Sequence, residues 1–245
     1  MLKVRALLTA CADRPTSSAC SGCGARAFSI CAALSEADLG QLDSIAERVV
    51  LAAGDVMANE AEPAVNVFNI TSGAVRIYKL LPDGRRQITG FLFAGDFIGL
   101  TAGATYAFSA EAIEDTTVCR FRASEYRALA RERPSLEAAL LSRAMHELTA
   151  AQDQMLLLGR KTARERLASF LVTMLSRDPL RPSGDNAVRL PMTRSEIADY
   201  LGLTIETVSR ELTKLKTSGV IHAVSLHDLR IERPDRLKDM ANGAS

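Results

Sequence analysis

The 245-residue chain has no tryptophan, only three histidines and 5% aromatic residues. His146, His222 and His227 are scattered and suggest no histidine-based metal site. No apolar run approaches the roughly eighteen residues that a membrane crossing needs, so no spanning helix is expected. The opening stretch MLKVRALLTACADRP has a short apolar run broken by Arg5, which fits an export signal poorly. A cytoplasmic location is the expectation. Charge of one sign is missing as well: 30 basic and 29 acidic residues leave a net charge of +1. That balance excludes a uniformly basic nucleic-acid coat and leaves room for a local basic patch. There is no Ser–His–Asp candidate set, no phosphate-cradling glycine loop and no carboxylate pair in a plausible pocket context, so an enzyme is not expected.

Cysteine is scarce too, with five in all, yet three of them fall in the thirteen residues ACSGCGARAFSIC, at Cys20, Cys23 and Cys31. An odd total fits a closed disulfide framework badly, and in a reducing compartment clustered thiols point to metal binding or redox chemistry. From the cysteines alone an iron–sulfur cluster and a four-thiolate zinc site fit almost equally well, since both use C-x2-C pairs; a disulfide-based thiol switch is a third reading.

The remainder divides by texture. Residues 1–33 form a leader without helical or strand periodicity, read as unpacked. Ser35 is a natural N-cap for a helix with Leu39, Leu42 and Ile45 on one face. Residues 34–133 are dominated by short runs of β-formers (VNVFNI, GAVRIYKL, RQITGFLF, TTVCRF) between turn signals, the pattern of a small antiparallel roll. LPDGRR looks like its exposed hairpin tip. Residues 134–160 carry a heptad, with Leu141, Leu148 and Met155 at one seam position and Ala144, Ala151 and Leu158 at the other. A helix of this kind finds a partner, most simply its symmetry mate. Residues 161–235 form a second small domain, and the last few residues, MANGAS, are of low complexity.

The clearest signal is MTRSEIADYLGLTIETVSRELTKLKTSGVI. Thr193 can cap one helix and Thr204 a second, with Gly202 at the tight turn between them. Val208, Leu212 and Leu215 must face inward, with Ile197, Ala198, Leu201 and Leu203 completing the core. Glu206, Ser209 and Arg210 then lie outward on the half of the second helix that enters a major groove. Arg210 can donate twice to guanine, and Glu206 can accept from cytosine. Arg194, Lys214 and Lys216 are candidate phosphate contacts, and GVIHAVSLHDLRI reads as a two-stranded wing.

With these residues in hand, the chain resembles the CRP/FNR superfamily of bacterial transcription regulators, closest to the FNR branch. The resemblance rests on LGLTIETVSRELTKLKTSGVI, QITGFLFAGDFIG and QMLLLGRKTARERLASFL, together with the cysteine-rich leader. It implies an α+β chain with an N-terminal cyclic-nucleotide-binding-type β-roll, a long dimerisation helix and a C-terminal winged helix-turn-helix. It also implies an oxygen-labile [4Fe-4S] cluster on Cys20, Cys23, Cys31 and the roll residue Cys119, with Cys11 a spare thiol. The implied partners are double-stranded DNA with palindromic TTGAT-type half-sites, RNA polymerase touched through the turn near Asp83 to Arg86, and a second copy of the chain paired along Leu141, Leu148, Ala151 and Met155. The superfamily's nucleotide-binding members carry an arginine in a phosphate cassette. Here no arginine stands between Asp96 and Arg120, so no cyclic nucleotide is expected.

Overall fold

The computed structural model describes residue 20 and residues 22–101, 103–177 and 186–243. Cys11 and the break at 178–185 lie outside them. The chain separates into two compact units: one holds the chain up to Val75 together with Leu92–Arg143, the other Arg76–Phe91 together with Ala144 onward.

In the first unit, two 3-10 turns at Arg26–Phe28 and Ile30–Ala33 precede helix α1 (Glu36–Ser44). Ser35 caps α1 by accepting from the Asp38 N–H at 3.2 Å, as its residue type anticipates. The strands follow as β1 (Glu47–Leu51), β2 (Val56–Ala58), β3 (Asn66–Ser72), β4 (Ala74–Leu80), β5 (Arg86–Phe93), β6 (Phe97–Ile98), β7 (Ser109–Ala112) and β8 (Thr116–Arg122), and then helix α2 (Ala123–Glu132). One sheet runs β1-β8-β3-β6 and a second β2-β7-β4-β5. Both faces of the first sheet are covered, which is why β3 buries four residues in a row instead of alternating. Phe68, Ile70 and Val118 point to one face, while Val67 and Phe121 point to the other. That second face meets Ile30, Cys31 and Leu34, with Leu39 and Leu42 of α1 and Tyr126 of α2, in a single buried cluster. The end of the leader is therefore packed, contrary to expectation. Ile30 and Cys31 supply the apolar surface that the leader's lack of periodicity hid.

Helix α3 (Pro134–Arg160) is continuous. Beyond it come α4 (Ala163–Arg177), β9 (Ala187–Arg189), α5 (Arg194–Leu201), α6 (Ile205–Thr217), β10 (Ile221–Ala223), β11 (Asp228–Ile231) and α7 (Pro234–Ala241). β9 joins the wing as a third strand, in the order β10-β11-β9. Helix α7 carries the fold past the expected domain end at residue 235. Pro234 opens α7, and Leu237, Met240 and Ala241 are buried, a spacing of three and four that marks one apolar face. Residues 76–91, most of β4 and β5, belong to the second unit.

Candidate cysteine pocket and nucleic-acid interface

The cysteine pocket is built on one row of side chains across the first sheet. Arg48 on β1 is the register partner of Cys119 on β8, Cys119 of Asn69 on β3, and Asn69 of Phe97 on β6. Register partners project to the same face, so these four stand side by side. Cys31 comes to that face from the leader, and the Asn69 Nδ2 donates to its Sγ at 4.0 Å. Ser29 holds the turn by accepting from the Cys31 N–H at 3.2 Å. The turn is seated on Gly95, whose φ of +94° leaves no room for a side chain: a Cβ there would stand 2.8 Å from the Phe28 carbonyl oxygen. Cys20 and Cys23 reach the same neighbourhood from the preceding loop, and Cys20 donates to Asp43 at 3.6 Å.

The electrostatics connect all four sulfurs. Burial pushes the Cys119 thiol up to about 11, and the charges of Cys23 and Cys31 add to it while Arg48 opposes. Burial pushes Cys20 up to about 12, reinforced by Asp43 and then by Cys31 and Cys119. Cys31 is raised by burial too, against the Ser29 hydroxyl and Arg26. Among the described residues, no three His, Cys, Asp or Glu side chains stand close enough to hold one metal ion. The four thiols thus share a pocket without closing on a single point, where zinc would need four bonds of roughly 2.3 Å. Two polar atoms in the pocket wall, Asn69 Oδ1 and Tyr126 Oη, are buried without a hydrogen-bond partner. Four thiols are the donor set that both iron–sulfur clusters and zinc sites use.

In the second unit, Thr193 and Glu196 form a complete capping box on α5: the Thr193 hydroxyl accepts from the Glu196 N–H at 3.2 Å, and the Glu196 Oε2 accepts from the Thr193 N–H at 2.7 Å. Thr204 caps α6 by accepting from the Thr207 N–H at 3.3 Å. Gly202 lies between them at φ +60°. A Cβ there would meet Leu158 at 3.3 Å, and Leu158 is accordingly half-buried, not open as the rest of its seam is. Val208, Leu212 and Leu215 are buried, leaving Glu206 and Arg210 exposed and Ser209 half-exposed on the opposite side of α6. Glu206 and Arg210 form no ion pair with each other; Arg210 lies 3.8 Å from Glu211. The Glu206 carboxyl is held below its usual value by its own backbone N–H at the helix start and then by Thr204. Arg194 is exposed, and Lys214 pairs with buried Glu211 at 2.7 Å while keeping half its side chain in solvent.

Three sets of residues had no sequence signal that separated them from ordinary surface charge. Arg166 on α4 donates to the carbonyls of Leu158 and Lys161 at the end of α3 and of Leu201 at the end of α5, at 2.8 to 2.9 Å, satisfying two helix C-termini with one guanidinium. The hairpin grips α5 through Arg86 to Asp199 at 2.8 Å, Arg76 to Glu196 at 2.5 Å, and Gln87 to the Asp199 carbonyl at 2.7 Å. Arg86 is therefore turned inward, while Asp83 and Arg85 form the exposed tip. Arg143 on α3 pairs with buried Asp96, beside Gly95. Asn69 had a signal that was readable: one amide inside the otherwise apolar run of β3.

On α3, Leu141, Leu148 and Met155 are each more than half exposed, as are Met145 and Leu156, and Ala144 and Ala151 are also open. Among the described residues, no helix is long and apolar enough to cross a membrane.

Residues 165–240 match the Crp-like helix-turn-helix domain, and residues 48–133 match the cyclic nucleotide-binding domain. The chain is 40% identical to the nitrogen fixation regulation protein FixK of Bradyrhizobium diazoefficiens, over 93% of this chain and 95% of that one. The chain belongs to the CRP/FNR family of transcription regulators. Within the family it is also 42% identical to the transcriptional activatory protein AadR of Rhodopseudomonas palustris, over 89% of this chain and 91% of the relative. It is 38% identical to the transcriptional activator protein FnrL of Cereibacter sphaeroides, over 82% and 83%. Among solved CRP/FNR structures, that of FixK2 from Bradyrhizobium japonicum superposes with a TM-score of 0.75 at 40% identity, covering 80% of this chain and 97% of that one. Membership accounts for the β-roll, the long helix and the helix-turn-helix in one chain, and these relatives are regulators, not enzymes.

Proposed function

We propose that this regulator activates transcription in response to falling oxygen, through a [4Fe-4S] cluster held by Cys20, Cys23, Cys31 and Cys119. The reading is supported by the leader thiols coming to the sheet face that carries Cys119, where Asn69 links to Cys31, and by the charges of Cys23 and Cys31 acting on Cys119 and those of Cys31 and Cys119 acting on Cys20. When bound, such a group supplies reactivity toward oxygen that thiols held apart lack. The chain's own residues do the rest. Cys31 and Ile30 seat the leader on the sheet face shared with α1, α2 and the start of α3. Arg48 and Arg26 favour the thiolate forms that iron requires.

At the other end, a second copy covers Leu141, Leu148, Ala151 and Met155 of α3. Three large apolar side chains more than half exposed at heptad spacing are costly in water and are satisfied by a symmetry mate. The pair presents two α6 helices, and Glu206, Ser209 and Arg210 read each half-site of a TTGAT-type palindrome, with Arg194 and Lys214 on phosphates. The tip at Asp83 and Arg85 is the surface offered to RNA polymerase. The roll takes no cyclic nucleotide, because β7 and its approach carry no guanidinium for the phosphate.

Purification without oxygen tests the reading. The expected product is straw-brown, carries about four irons per chain, and bleaches in air with loss of promoter binding. Cys23→Ser is expected to be colourless and to bind DNA independently of oxygen. A colourless, iron-free wild type that still responds to oxidants would point to a thiol switch; a zinc-loaded protein indifferent to air would overturn oxygen sensing altogether.

A further inference from the structure

Resting on the cluster reading above, we infer that Asn69 and Tyr126 are positioning residues that hydrogen-bond the sulfur atoms of the cysteine pocket and set how the bound group reacts. Both side chains are almost completely removed from solvent, Asn69 at 3% and Tyr126 at 0% exposure. The Tyr126 Oη, which can donate, has no partner, and Asn69 faces the sulfurs through its Nδ2 donor. A buried hydroxyl is normally satisfied, and an unsatisfied one in the wall of this site marks a place where an acceptor belongs.

The fold aims them there. Asn69 stands between Cys119 and Phe97 in the row across the sheet and already donates through Nδ2 to Cys31 at 4.0 Å. Tyr126 is held over that row by its ring, at 5.1 Å from Phe97 and 5.3 Å from Phe121 between centroids. Tyr126 shares one buried cluster with Cys31. Two aromatic contacts fix the ring, so the hydroxyl is preset, and an apolar residue would pack there equally well. Donors to metal-bound sulfur withdraw electron density and shift the group's reduction potential upward. Asn69 and Tyr126 thereby make the loaded regulator slower to react with oxygen than the four cysteines alone would.

Two variants test this in the full chain, reconstituted with ferrous iron and sulfide: Tyr126→Phe, which keeps the ring, and Asn69→Leu, which keeps the branched shape. Both are expected to take up iron. Each is expected to bleach in air about tenfold faster than wild type, with a reduction potential shifted negative. In the iron-free protein Tyr126→Phe is expected to resist urea as well as wild type or better, because its hydroxyl satisfies nothing there; in the loaded protein the order reverses. Variants that load iron but match wild type in bleaching rate and potential would overturn the inference and leave the cluster reading standing. An iron-free Tyr126→Phe protein clearly weaker than iron-free wild type would also overturn it, by showing that the hydroxyl already has a partner. A wild type that takes up no iron would remove the cluster reading itself, and this inference with it.

Discussion

The surroundings of half-buried Arg166 and of buried Cys31 are both polar sites, and they are finished to different degrees. Around Arg166 the guanidinium reaches three carbonyls at two helix ends, and a capping box closes the start of α5. Around Cys31 three thiols are pushed toward their neutral forms, and two polar atoms of the wall have no partner. An unsatisfied buried group costs about 1–3 kcal/mol. At Arg166 the chain itself completes the hydrogen bonding, while beside Cys31 two polar atoms are left open. A frame that must present a recognition helix in one geometry benefits from the first arrangement.

The largest break in this contrast is expected from Arg166→Ala. It uncaps α3 and α5 together and should cost on the order of 3 kcal/mol, read as a lower urea midpoint with the cysteine pocket's iron uptake retained. Next comes the pH response of the iron-free protein. Folding raises the Cys119 thiol from 9.0 to about 11, so the native state prefers the neutral form. The stability this lends is complete below pH 9.0 and is lost as pH rises through about 11. The loss should be on the order of 2 kcal/mol in urea titrations, smaller in Cys119→Ser and absent after loading with iron and sulfide. The smallest effect sharpens the finished side. Thr193→Ala removes one half of the α5 capping box and should lower stability by about 1 kcal/mol, with DNA affinity measured at matched folded fraction unchanged.

The two regions also differed in how far they could be read before the structure. α5 and α6 were legible because caps, glycine and apolar spacing are local: Thr193, Gly202, Thr204, Val208 and Leu212 act within a few residues of one another. The open stripe on α3 was legible for the same reason. The hairpin's grip on α5 was not, since Arg86 and Asp199 are 113 residues apart and look like any other exposed charges in a linear reading. The packed leader escaped because its apolar residues have no period of their own and borrow order from the sheet face they cover. Helix α7 runs past the expected domain end at 235, because only three buried residues mark its apolar face.

What this sequence determined by itself is what short-range chemistry determines. That comprises helices α5 and α6 with their caps, which side of α6 faces outward, the open stripe on α3, and a cluster of three thiols near the start of the chain. What the tertiary structure decided is that Cys119 and the leader thiols share one pocket, and that Asn69 and Tyr126 wall it. Strand register and the packing of the leader on the outer sheet face place those residues, and both follow from burial summed over distant parts of the chain, which no local window contains.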